Sequence, residues 1–297
     1  MYIDTALFLA GAVVSAEYFQ GEVKEKVNEF YNRIDWNAYV DQSNKQFNMS
    51  MKPLQGFQSH WDFYAEQLIM YVLGAGSAEK PLDPTVYYRF RRERGSYADG
   101  NEFVYSWHGA LFTYQYSHAF VDFRGKVDEL GMDWFQNSID ATIANHKYSL
   151  DQADKFKTFA DGGWGLSASD TPTGYTGTAG SFPNGANNTM NTVDGTANVS
   201  ASLASIVFQP ELAFESIKRL SAKEELKGEY GFNNAYNLDE GWFASDAIGI
   251  EKGITAIMIE NYQSGLIWKL FMQNEQVQNG LKVLGFTEKE VDYGLGY

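Results

Sequence analysis

The sequence predicts an all-α fold: an inner ring of buried helices inside an outer ring of amphipathic ones, the pattern of an (α/α) barrel. Two observations predict it. Apolar and amphipathic helical segments alternate along the chain, and the stretches between them are irregular and rich in turn residues. Residues 5–19 (TALFLAGAVVSAEYF) are apolar nearly all round, which predicts burial on most faces. Residues 21–34 place Val23, Val27, Phe30 and Ile34 on one stripe with charges elsewhere, which predicts a peripheral helix. The pair recurs. Apolar 65–73 precedes polar 83–93, where Pro84 suits a first helical turn. Apolar, aromatic 110–120 precedes the long amphipathic 132–151, and small, apolar 196–208 precedes amphipathic 210–220. Apolar 253–272, with a break expected near Ser264 and Gly265, precedes amphipathic 274–284. These are five inner–outer pairs. A closed (α/α)6 toroid has six, and the chain opens in an inner helix. The expectation is a toroid lacking its first helix pair at the N-terminus.

The connections carry their own signals. Residues 36–61 and 95–107 mix aromatics with turn residues and are expected to hold short hairpins. Residues 161–195 form the longest irregular stretch. A loop of that length in a compact domain is functional or disordered, and Trp164, Asp170, Tyr175 and Asp194 make it read as substrate-facing. No linker divides the chain, so residues 1–297 read as one domain. No apolar run reaches the ~18 residues of a membrane span. Residues 5–16, bounded by Asp4 and Glu17, read as a buried helix, because no Lys or Arg precedes them as in a signal peptide.

Composition narrows the chemistry. A net charge of −15 repels phosphate backbones and argues against nucleic acid as a partner. There is no cysteine, which excludes disulfides, thiolate metal sites and cysteine nucleophiles. The four histidines show no metal-ligand spacing, and no phosphate-binding or serine-nucleophile motif is present, so neither metal nor cofactor is expected. The 19 Tyr and 7 Trp exceed what a core requires, and amphipathic rings suit surfaces that stack on sugars.

Glycoside hydrolysis needs two carboxyl groups, one to donate a proton and one to activate water or attack the sugar. Acids in apolar or aromatic settings are the informative ones, because desolvation tunes their pKa. Asp4 heads the first inner helix, where it reads equally as an N-cap. Glu66, next to Tyr64 in WDFYAEQLIMYVL, opens a strongly apolar segment where a surface reading fits poorly. Glu251 stands at the mouth of another inner helix, as a reacting group or as a charge on the helix N-terminus. Glu260 and Asn261, deeper in that helix, read as polar core residues or, for Glu260, as a sugar contact. Tyr114, His118 and Asp122 recur at i, i+4 and share one helix face, either lining a cavity or forming a bonded core network with Arg124.

Several segments together resemble the glucoamylase-like family of bacterial proteins, which includes endo-β-1,2-glucanases and a domain of cyclic β-1,2-glucan synthases. They are IDTALFLAGAV, YNRIDWN, FTYQYSHAFVDFRG, WGLSASDTPTGY, VDGT, FQPELA, YGFNNAYN and GIEKGITAIMIENYQSGLIWKLFM, in the family's order across nearly the whole chain. The resemblance implies an (α/α)6 barrel with a carbohydrate cleft and cofactor-free, inverting acid-catalysed hydrolysis of a glucan or gluco-oligosaccharide. It also implies export from the cytoplasm in a full-length form, although this chain shows no signal peptide. Glu66 matches the family's glutamate and is expected as general acid. Glu251 or Asp4 is expected as the base. Tyr64, Tyr116, His118, Asp122, Arg124, Trp164, Asp170, Tyr175 and Glu260 are expected to line the sugar subsites. The sequence departs from the family at Ala65, where Asn is usual, and at Glu251-Lys252, where Asp-Gln is usual. Those departures leave a non-catalytic glycan-binding protein as the second reading. A polysaccharide lyase using Tyr116 and His118 is the third, and the acidic charge disfavours it.

Overall fold

The structure is a computed structural model that describes residues 2–187 and 193–295. Among them are eleven α-helices: α1 Tyr2–Phe19, α2 Gly21–Arg33, α3 Leu68–Gly76, α4 Phe112–Phe120, α5 Trp134–Asp151, α6 Lys157–Ala160, α7 Val199–Ala204, α8 Pro210–Ser221, α9 Gly249–Gln263, α10 Leu266–Met272 and α11 Glu275–Val283. The fold is mainly helical, with small antiparallel sheets in the connections. Both expected hairpins form. Val40–Asp41, Gln46–Lys52 and Gly56–His60 make a three-stranded sheet, and Arg94–Gly95 pairs with Phe103–Val104. Residues 188–192 of the long loop lie outside the described residues; what precedes them includes the hairpin Ser169–Thr171 with Gly174–Thr176.

The chain divides into two compact units. The first comprises Met1–Arg92, Ser117–Phe135 and Gly265–Val291. Here α1 packs on α2, α3 and α10, and α3 packs on α11. Every residue of α3 is buried, as its unbroken apolar run requires. Aromatic rings fill the remaining volume: Tyr64 stacks on Trp134 at 5.0 Å, and the Arg92 guanidinium lies 3.9 Å from the Phe90 ring centre. The start of α3 is pinned by Ser117, whose hydroxyl accepts from the Ile69 amide at 3.1 Å and donates to the Glu66 carbonyl at 2.6 Å. The Ile69 amide is one that the helix itself leaves unpaired, and the Glu66 carbonyl stands just ahead of the helix. Ser117→Ala removes the partner of both. It is expected to cost about 1–3 kcal/mol in urea unfolding.

The second unit comprises Glu93–Tyr116, Gln136–Ser264 and Asp292–Tyr297. In it α7 lies between α8 and α9, and a three-stranded sheet joins Ala197–Asn198, Ala235–Asn237 and Trp242–Phe243. Pro210 begins α8 at its first position, where no amide is missed. Gly265, at φ 66°, breaks the 253–272 segment where the sequence places a break. A left-handed conformation of that kind suits glycine.

Three expectations need correction. Residues 5–19 bury one stripe (Ala6, Leu9, Ala10, Val13, Ala16) rather than most faces, and leave Phe8 and Phe19 exposed. Although no unbroken apolar run is that long, α1 as a whole, with Asp4 and Glu17 inside it, is long and apolar enough to cross a membrane by length and composition. Residues 83–93 form only a short 3₁₀ helix, Pro84–Tyr88, since the run Thr85-Val86-Tyr87-Tyr88 is poor in helix formers. The α5 helix is mostly buried, not peripheral, because its polar residues bond inward. Asn137 brackets Val104, accepting from its amide at 2.6 Å and donating to its carbonyl at 3.1 Å, while Asn145 does the same to Leu166. Polarity marks a helix face as solvated only when no backbone partner is offered to it.

Candidate active site

In the first unit, Glu66 occupies the turn that leads into α3 and is half-buried. Burial pushes its carboxyl up to about 7, and the negative charge of Asp4 adds to the shift. Asp4 lies in the exposed first turn of α1. A carboxyl that still holds its proton near neutrality can serve as a general acid.

In the second unit, Glu251 sits in the first turn of α9 and lines an open pocket of about 200 Å³ with Phe112, Gln115, Tyr116, Ser167 and Asn198 among its walls. Two amides hold the carboxylate. Asn198 Nδ2 lies 3.1 Å from both oxygens, and Asn234 Nδ2 donates to Oε2. Burial dominates and pushes the Glu251 carboxyl up to about 7; the Asn198 amide opposes it, the charge of Asp170 adds to it, and Lys252 and Asn234 oppose it. Asp170 is itself shifted upward, first by burial and then by Asp246. One of its oxygens, Oδ2, is buried without a hydrogen-bond partner. Tyr175 presents an exposed ring beside these acids, and its hydroxyl is shifted upward by burial and by Glu251 and Asp170. Tyr116 donates its hydroxyl to the Ile250 carbonyl at 2.6 Å, fixing the backbone one residue before Glu251.

The structure therefore brings Glu251, Tyr116, Asp170 and Tyr175 together, and separately brings Asp4 towards Glu66. Other expected sugar contacts do not reach a surface. His118 is buried against Phe123 and Phe135, and burial lowers its pKa to about 3. Tyr64 is buried in its stack on Trp134. Trp164 is buried and donates to Ser216 at 2.8 Å. The i, i+4 stripe of Tyr114 and His118 is core rather than cavity wall, because α4 is covered on that face by rings and by the Ser106 amide bonded to Tyr114 Oη. Asp122 lies beyond the end of α4 and pairs with Arg124 through two 2.8 Å contacts, with the guanidinium 4.1 Å from the Trp268 ring centre. Glu260 is half-buried and accepts from Ser264, the residue that caps the end of α9. The elimination reading loses its pair, since the His118 ring is enclosed while the Tyr116 hydroxyl is committed to a carbonyl. Sequence reasoning passed over Asn198 and Asn234. An Asn immediately ahead of a small apolar run is an N-cap signal, and that was the one available sign of Asn198.

The second unit of this mainly helical protein thus holds a carboxylate between two amides in an open pocket. Comparison with known proteins names the group. The family model for Glycoamylase, a glucoamylase group, matches residues 58–275, and the chain belongs to that family. A glucoamylase-like protein from Bacteroides uniformis is 30% identical, with a TM-score of 0.83 over 95% of this chain and 70% of its own. An endo-β-1,2-glucanase from Chitinophaga pinensis, solved with sophorotriose and glucose, is 25% identical, with a TM-score of 0.84 over 96% of this chain and 71% of its own. The exo β-1,2-glucooligosaccharide sophorohydrolase (non-reducing end) of Parabacteroides distasonis is 23% identical over 320 aligned residues. That match takes in 94% of this chain but only 42% of the sophorohydrolase.

Proposed function

We propose that this chain is a glycoside hydrolase acting on β-1,2-glucan or its oligosaccharides, on the (α/α)6 toroidal scaffold that the resemblance implies. The observation that carries the proposal is the Glu66 carboxyl, raised to about 7 by burial and by the Asp4 charge. Glu66 donates the proton to the leaving oxygen. Burial keeps that proton on Glu66, and the Asp4 charge adds to it. The resemblance gives Glu251 or Asp4 for the base that accepts the proton of the attacking water, and Glu251 is the one held by two amides, from Asn198 and Asn234. Asp170 and Tyr175 bind sugar hydroxyls and rings. The substrate class is supported by the relatives' names: an endo-β-1,2-glucanase and a sophorohydrolase.

The test is incubation of the purified chain with β-1,2-glucan beside β-1,3-, β-1,4- and β-1,6-glucans, with products read by chromatography. Short oligosaccharides from β-1,2-glucan alone are expected; products from another linkage overturn the substrate assignment, and no products from any glucan overturn the activity. The pH profile follows from the two shifts. Glu66 must be protonated, so activity falls as pH rises through about 7. Glu251 must be ionised, so activity falls as pH falls through about 7. A narrow bell in kcat/KM centred within about one unit of neutrality is expected.

A further inference from the structure

Glu251 is held by a residue with a second structural duty. Asn198 ends the strand Ala197–Asn198 and is the N-cap of α7. Its Oδ1 accepts from the Ala201 amide at 2.8 Å, closing the first turn of that helix. Its Nδ2 has two hydrogens to give. One goes to the Ala168 carbonyl at 2.9 Å, and the other is shared between the two Glu251 oxygens. The backbone of Asn198 donates to the Gly165 carbonyl at 3.1 Å. Every polar atom of the side chain is thus committed, and its position is set by the helix, the loop at 165–168 and the sheet. Asn234 precedes the strand Ala235–Asn237, whose Ala235 pairs with Asn198. Its Oδ1 accepts from the Asp170 amide at 2.8 Å while its Nδ2 donates to Glu251. The two amides therefore stand at neighbouring strand ends of one sheet.

We propose that Asn198 is a positioning residue: one amide ties the Glu251 carboxylate to the first turn of α7 and fixes where it stands to accept a proton. This deepens the hydrolase reading and rests on it for the role of Glu251. Besides Asn198 and Asn234, the groups facing that carboxylate are Asp170 and Tyr175 from the 169–176 hairpin, Tyr116 from α4, and Lys252 from α9 itself. Asp246 acts at one remove, through Asp170. Only Lys252 among the charged ones favours ionisation. The amides therefore do most of the work against burial, since a hydrogen bond donated to the charged form lowers a carboxyl's pKa.

The informative variant is Asn198→Ser. Serine keeps an N-cap acceptor for Ala201, adds no charge, and is too short to reach Glu251. The Glu251 carboxyl is followed directly by ¹³C NMR of glutamate-labelled protein, its signal assigned by loss in Glu251→Gln. The expected result is an upward move of its midpoint by about one unit, with an unchanged helical circular dichroism spectrum. The acidic limb of kcat is expected to move up with it, and kcat at pH 7 to fall about 10- to 100-fold with KM nearly constant, because a displacement of ~1 Å is costly to catalysis. Asn234→Ser, which leaves the α7 cap untouched, is expected to raise the midpoint in the same direction if Asn198→Ser does not fold. A Glu251 midpoint that stays in place in a folded Asn198→Ser protein reduces Asn198 to a helix cap and overturns the proposal. If Asn198→Ser does not fold, an unmoved midpoint in Asn234→Ser overturns it equally. Wild-type protein that cleaves no glucan while the midpoint still moves sinks the hydrolase reading but keeps the Asn198–Glu251 linkage.

Discussion

Glu66→Gln is expected to lower turnover of β-1,2-glucan by about 10²- to 10⁴-fold, the usual contribution of a positioned general acid. Glutamine fills the same space beside α3 and keeps the backbone bond from Ser117, so the loss isolates the proton. KM is expected to change little. The same substitution should stabilise the fold at alkaline pH. The ordinary carboxyl value is 4.5, and Glu66 is raised to about 7. The native state therefore binds this proton more tightly than the unfolded chain does. That stabilisation is complete below about 4.5 and is lost as pH rises through about 7. Above that, the wild type bears an ionised, half-buried carboxylate that glutamine avoids. With partial exposure discounted, the gain at pH 8 is about 1–2 kcal/mol, which thermal melts at pH 5 and pH 8 would show as a difference confined to the higher pH. A variant that is no more stable at pH 8, or that retains full activity, removes Glu66 from the role of acid. Catalytic groups held at a cost in stability are a common bargain in active sites.

Gly280→Ala is expected to destabilise the fold strongly. A methyl group at 280 would stand 2.0 Å from the Val72 carbonyl oxygen, and one at Gly76 would stand 1.9 Å from the Gln276 carbonyl oxygen. Both obstacles are backbone, so no rotamer change relieves them. The axes of α3 and α11 must separate, and α3 is buried on every side. Overpacking of this kind costs about 1–3 kcal/mol and occasionally more; with two helix backbones involved, about 3 kcal/mol or more is expected in urea unfolding. Gly11→Ala is the matched control. It lies in α1, where a Cβ meets nothing within 4 Å, and should be neutral or stabilising by about 0.5–1 kcal/mol. Equal losses at both positions would show that the α3–α11 contact does not set the effect.

The sequence carried the helices more reliably than their burial. Pro210, the Asn274 cap and the Gly265 break mark boundaries by local stereochemistry, so α8, α10 and α11 were readable from composition alone. Burial on α5 was not readable, because Asn137 and Asn145 go inward to meet the edges of Val104 and Leu166, partners far away in the chain. His118 and Trp164 misled for the opposite reason. Their polar atoms suggested a ligand, whereas neighbours distant in sequence enclose both rings. Of the candidate site, the carboxyls Glu66 and Glu251 were legible as acids in apolar surroundings. Burial, the largest cause of both shifts, follows from those surroundings; the Asp4 charge that adds to it at Glu66 and the Asn198 and Asn234 amides that oppose it at Glu251 depend on tertiary placement and were not legible.

Trp268 has a consequence of a different kind. Its indole is buried, its Nε1 donates to the His118 carbonyl at 2.6 Å, and the Arg124 guanidinium lies over its ring at 4.1 Å. That guanidinium also pairs with Asp122, and the pair retains partial access to solvent. Indole emission is sensitive to a charge held over the ring, so this tryptophan reads out where the arginine is. Anything that draws Arg124 towards a new partner, or loosens its hold on Asp122, would alter the colour and brightness of light emitted from inside the fold. Trp268 is one of seven tryptophans, so the emission lost in Trp268→Phe picks out the dye that the fold places against this outward-facing ion pair.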